Sequence, residues 1–60
     1  MDALLMTPEE AAEALHIGRA KVYDLMRSGD LRSVRIGGSS RVPCSALREY
    51  VEGLVAGDAA

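Results

Sequence analysis

The 60-residue chain has no Trp and no Phe, two Tyr, one Cys and one His, and each shortage closes off a class of protein. Without large aromatics the core must come from Leu, Val, Ile, Met and Ala, and a chain of this length buries only about 60% of the surface that its unfolded form exposes. That leaves little room for an enclosed catalytic cavity of roughly 300 Å³ or more, so an enzyme is not expected. Cys44 has no second cysteine to bridge to, and with His16 it falls short of a zinc ligand set, so neither a disulfide, a metal nor a cofactor is expected. The longest apolar run, Ala3 to Met6, is far below the roughly 18 residues of a membrane span. Asp2 stands where a secretion signal would carry positive charge, and the expectation is a soluble cytoplasmic protein. The chain shows no internal repeat and reads as one domain over residues 1–60, ordered from about 4 to 55.

Charge is what the chain does have, and it is unevenly spread. The net charge is −2, yet Arg19, Lys21, Arg27, Arg32, Arg35 and Arg41 all fall between Arg19 and Arg41, against Asp24 and Asp30 alone, which gives that stretch +4. The remainder holds Arg48 against seven acids and carries −6. A polyanion responds to the field within about one Debye length, roughly 8 to 10 Å, so the local excess matters more than the sum.

Thr7-Pro8-Glu9-Glu10 predicts a helix start, with Thr7 as cap, Pro8 in the first helical position and Glu10 completing a capping box. Helix one then runs to about Leu15, burying Ala11, Ala12 and Leu15 and turning Glu9, Glu10 and Glu13 outward. Leu4, Leu5 and Met6 are expected to fold back onto it. His16-Ile17-Gly18 predicts a tight turn anchored by Ile17, and a second helix from Arg19 to about Ser28 buries Val22, Leu25 and Met26 before Gly29 stops it. Beyond Gly29 the alternation of Leu31, Ser33 and Arg35 with Arg32, Val34 and Ile36 predicts a strand, with Gly37-Gly38-Ser39-Ser40 as a hairpin tip and Arg41-Val42 as the return strand. After Pro43 a third helix is expected to bury Leu47, Tyr50, Val51 and Leu54, with Cys44 and Val55 at its margin and Arg48 paired to Glu52 outside. Gly57 to Ala60 reads as a frayed tail.

Two short helices joined by a three-residue turn, acidic first and basic second, match the helix-turn-helix pattern that lays a second helix in the DNA major groove. The hairpin adds a candidate wing, so the expected fold is mainly α with a small β-hairpin, a winged helix-turn-helix in the order helix, turn, helix, hairpin, helix. Thr7-Pro8-Glu9-Glu10-Ala11-Ala12-Glu13-Ala14-Leu15, Ile17-Gly18-Arg19, Val22-Tyr23, Ser28-Gly29-Asp30-Leu31, Val34-Arg35-Ile36-Gly37 and Arg41-Val42-Pro43 form an ordered series. With these residues the chain resembles the excisionase-type DNA-binding family, small winged helix-turn-helix proteins related to the MerR DNA-binding fold, over about residues 4 to 55. The resemblance implies a recognition helix over Arg19 to Ser28 and a wing around Gly37 to Arg41. It also implies a recombination directionality factor acting with an integrase, or alternatively a small transcription regulator.

The residues expected to meet double-stranded DNA are Arg19, Ala20, Lys21, Tyr23, Asp24 and Arg27 on the second helix and Arg35, Ser39, Ser40 and Arg41 around the hairpin. Arginine and lysine would contact base edges or phosphate, the serines would donate to phosphate, and Tyr23 would pack its ring while its hydroxyl reaches the backbone. Where the family often has small hydroxyl residues and a base around the tyrosine, this chain has Ala20, Lys21 and Asp24. Asp24 would repel phosphate unless it pairs with Lys21 or Arg27, or accepts from a cytosine amino group. Copies binding cooperatively to tandem sites are a further expectation. The rival of another class is a protein-interaction module whose basic stretch is merely solvated.

Overall fold

The computed structural model describes residues 4–59. Asp2, Ala3 and Ala60, which figure in the expectations above, lie outside the described residues. Helix α1 (Pro8–Leu15) begins as its sequence requires: the Thr7 hydroxyl accepts from the Glu10 backbone N–H at 3.0 Å, and Glu10 Oε1 accepts from the Thr7 N–H at 2.8 Å. That reciprocal pair satisfies two of the donors that a helix start leaves without partners. His16 closes α1 in the left-handed region, at φ 58°, and Gly18 caps helix α2 (Arg19–Ser28) from an extended conformation.

Gly29, at φ 89°, ends α2 and donates its N–H to Met26 O at 3.3 Å. The Leu31 N–H then reaches back to Leu25 O at 3.1 Å, which turns the chain so sharply that Leu31 drops into the core at 1% exposure. Leu31 is therefore not part of a strand, and the expected alternation from Leu31 to Ile36 holds only over its last three residues. Ile17, expected as the anchor of the interhelical turn, is instead 36% exposed.

Three strands make the sheet, in the order β1 (Leu5–Met6), β3 (Ser39–Pro43), β2 (Val34–Ile36), all antiparallel. The hairpin tip is only Gly37-Gly38, with φ of 56° and 87°. Positive φ at both central residues is what a two-residue type I′ turn needs to match the twist of its strands, and glycine adopts it without steric cost. Ser39 and Ser40 consequently belong to β3, opposite Ile36 and Arg35, and not to the tip. Strand β1 is the element that pattern reading did not supply, because two residues are too few to show a period. Leu5 and Met6 face Pro43 and Val42, and the ladder ends with the Cys44 N–H donating to Leu4 O at 3.1 Å, so Pro43, which has no N–H, falls at a position that owes β1 no donor.

The core is small: Ala11 and Ala12 of α1, Val22 of α2, Leu31, and Val42 of β3, with Leu25, Met26, Leu47 and Tyr50 packed against it. Val22, Leu31 and Val42 are its largest fully buried side chains, and each stabilises the fold by about 1.5 to 3 kcal/mol relative to exposure. Helix α3 (Cys44–Ala59) runs well into the stretch expected to fray. Only its first half is covered: Ala46 is buried and Leu47 and Tyr50 half-buried, whereas Val51, Leu54 and Val55 stand 38%, 50% and 63% exposed. The expected stripe was right in period but too long: Val51 still lies beside Ala14 and Leu15 of α1, and exposure rises beyond it through Leu54 to Val55. Ion pairs among the described residues do not include Arg48 with Glu52; Glu49 instead meets Arg32 at 4.0 Å.

Candidate nucleic-acid interface

With α2 turning about 100° per residue, burial of Val22 and partial burial of Leu25 and Met26 fix which side faces outward. Ala20, Asp24 and Arg27 occupy the middle of that side, with Arg19 and Tyr23 on one margin and Lys21 on the other. All six are exposed, so the structure brings the expected recognition-helix residues to one solvent-facing surface. Arg19, Ala20, Tyr23, Asp24 and Arg27 line an open depression of about 610 Å³, with Lys21 outside it. No side chain caps the start of α2. The first backbone donors of the helix are thus left for solvent or an anionic ligand beside Arg19.

Apart from Lys21, the charges on this surface are already engaged in ion pairs. Arg27 Nη2 lies 3.3 Å from Asp24 Oδ1, one of the two pairings by which Asp24 was expected to lose its repulsion for phosphate. Arg19 Nη1 lies 3.9 Å from Glu9 Oε2, and the Tyr23 hydroxyl donates to the same oxygen at 3.2 Å. In the free protein the Tyr23 hydroxyl therefore points at α1 and not into open solvent. Exposed pairs of this kind contribute at most about 1 kcal/mol, so a phosphate can compete for the same cations. Lys21, Arg35 and Arg41 take no part in the ion pairs among the described residues.

At the hairpin, register and strand alternation separate two residues that the sequence placed together. Directly paired residues of an antiparallel ladder share a face, and successive residues alternate. Arg35 and Ser40, paired with each other, lie on the side of buried Val42; Arg41, paired with Val34, lies on the other side with Ser39 and Ile36. Arg35 and Arg41 thus point to opposite faces of the wing. Each is steadied by a backbone carbonyl, Arg35 Nη2 donating to Gly38 O at 3.4 Å and Arg41 Nη1 to Ser40 O at 2.8 Å. The Arg41 face also presents Val34 and Ile36, which are 37% and 56% exposed.

Glu9 is the residue of this surface that sequence reading missed. Its place at a helix start gave it a sufficient local explanation, and the contact to Tyr23 spans 14 residues, which no periodicity reports.

A sequence model of the family described as "helix-turn-helix domain" matches residues 5–54. A protein of Saccharopolyspora erythraea named "probable excisionase" is 47% identical over 53 residues, covering 88% of this chain and 54% of that protein. An excisionase of Streptomyces ambofaciens is 44% identical over 48 residues, covering 80% of this chain and 77% of that protein. A Mycobacterium tuberculosis protein whose name describes it as DNA-binding is 35% identical over 48 residues, covering 80% of this chain and 62% of that protein. The chain thus spans about half the length of the first of these relatives. No solved structure matches it significantly.

Proposed function

The chain belongs to the excisionase-type helix-turn-helix DNA-binding family, and from that premise we propose that it binds double-stranded DNA as a recombination directionality factor, shaping the DNA for an integrase and catalysing nothing itself. Helix α2 enters the major groove, led by Arg19, Ala20, Lys21, Tyr23, Asp24 and Arg27. The hairpin lies along the neighbouring backbone or minor groove through Arg35, Ser39, Ser40 and Arg41. The observation that carries this reading is the arrangement of charge: the +4 stretch folds into a helix with one outward side and a protruding hairpin, while the acids lie chiefly on α1 and α3.

The mechanism is architectural. A single module of this size buries about 600 to 1,000 Å² on DNA, which gives modest selectivity, so tandem sites, bound cooperatively, and DNA bending supply the rest. Asp24, tied to Arg27, orients that guanidinium and is positioned to accept from a cytosine amino group. The protein acts in the cytoplasm, on the nucleoid.

The test is a reconstituted reaction with a candidate integrase and a substrate carrying that integrase's hybrid attachment sites. Excision that depends on this protein supports the proposal. Binding to a promoter with no effect on excision would identify a transcription regulator of the same fold. Failure to shift any duplex at low salt would leave the interaction-module reading standing.

A further inference from the structure

We infer that the Arg19 guanidinium and the Tyr23 hydroxyl form one seat for a DNA backbone phosphate, and that the Glu9 carboxylate occupies that seat while no DNA is bound. The inference rests on the DNA-binding reading above and adds to it a residue of α1 that lies outside the recognition helix. Arg19 and Tyr23 stand one helical turn apart on the same margin of α2, and both approach a single oxygen, Glu9 Oε2, at 3.9 and 3.2 Å. A carboxylate oxygen and a phosphoryl oxygen make the same demand on their neighbours, an anionic acceptor met by charged and hydroxyl donors. Both donors also line the depression on the outward side of α2, where a duplex would lie.

The pair is built to exchange. The Arg19 and Glu9 side chains are 68% and 52% exposed, so their attraction is screened and weak enough for a phosphate to replace the carboxylate. The Glu9 carboxylate also takes no part in the capping hydrogen bonds, because the capping box uses Glu10. Two consequences follow for binding. The donors are held in place before DNA arrives, and every duplex, right or wrong, must displace the same anion, so Glu9 lowers affinity across all sequences and leaves base preference unchanged.

Anisotropy titrations at low salt, using two short labelled duplexes of unrelated sequence, test this with the full chain. Glu13→Gln is the control: Glu13 lies one turn along α1, is exposed, and joins no ion pair among the described residues, so it changes net charge alone. Glu9→Gln is expected to tighten binding to both duplexes about 2- to 5-fold beyond that control, the range an exposed ion pair allows. In an Arg19→Ala/Tyr23→Phe background, where neither donor of the seat remains, the Glu9→Gln gain is expected to vanish. Equal effects of Glu9→Gln and Glu13→Gln, a gain that survives loss of both donors, or weaker binding by Glu9→Gln would each overturn the inference while leaving DNA binding intact. A wild-type chain that binds neither duplex would overturn both.

Discussion

Raising the salt concentration from about 50 to about 200 mM probes the proposed interface as a whole, and the structure sets the size of the response. Each phosphate neutralised by a cationic side chain releases condensed counterions and contributes about −0.9 to the slope of log K against log salt. Lys21, Arg35 and Arg41 make no ion pair among the described residues and form the minimum set. Arg19 and Arg27 join them if phosphate displaces Glu9 and Asp24, their partners at 3.9 and 3.3 Å. Three to five phosphates give a slope of about −2.7 to −4.5, and over that fourfold change affinity falls about 40- to 500-fold. Anisotropy of a labelled duplex at several salt concentrations measures the slope directly. Lys21→Ala should make it shallower by about 0.9. Arg27→Ala should do the same and cost additional affinity, because Asp24 is then left beside the phosphates without its cation. A slope shallower than about −1, or slopes unmoved by both substitutions, would refute the assignment of these side chains to phosphate.

Three further outcomes concern the scaffold. Val22→Ala removes two methyl groups from a fully buried position, and at roughly 0.8 kcal/mol each plus a cavity cost it should destabilise the domain by about 2 to 3 kcal/mol in urea denaturation. Thr7→Ala breaks the capping box and should cost about 1 kcal/mol, lowering the midpoint of thermal unfolding, followed by far-UV circular dichroism, by about 4 to 8 °C. Gly38→Ala places a Cβ at φ 87° in the two-residue turn and should cost roughly 1 to 2 kcal/mol. Nothing lies within 4 Å of that Cβ, so the effect is backbone strain and not a clash, and it should appear as weaker DNA binding with helical content preserved.

Much of this fold is local and so was legible in the chain. The capping box at Thr7 and Glu10, the stop at Gly29, the spacing of Val22, Leu25 and Met26 and, of the alternation expected after Gly29, the part from Val34 to Ile36 each depend on residues within a few positions of one another. What failed depended on distance or on supply. Leu5 and Met6 become a strand only because β3 offers them an edge, and Ile17 loses its anchoring role to Leu31, which the turn after Gly29 swings inward. On α3 the apolar period continues through Leu54, but Leu54 is left half-exposed.

The sequence by itself determined the three helices and the hairpin in their order, the segregation of charge and the outward face of α2, because helix periodicity and capping are properties of neighbouring residues. Only the tertiary structure decided that Arg35 and Arg41 lie on opposite faces of the wing, since that follows from a register fixed by a two-glycine turn. Only it decided that Arg19 and Tyr23 meet on one oxygen of Glu9, because that contact exists only once α1 and α2 have packed across Ala11, Ala12 and Val22.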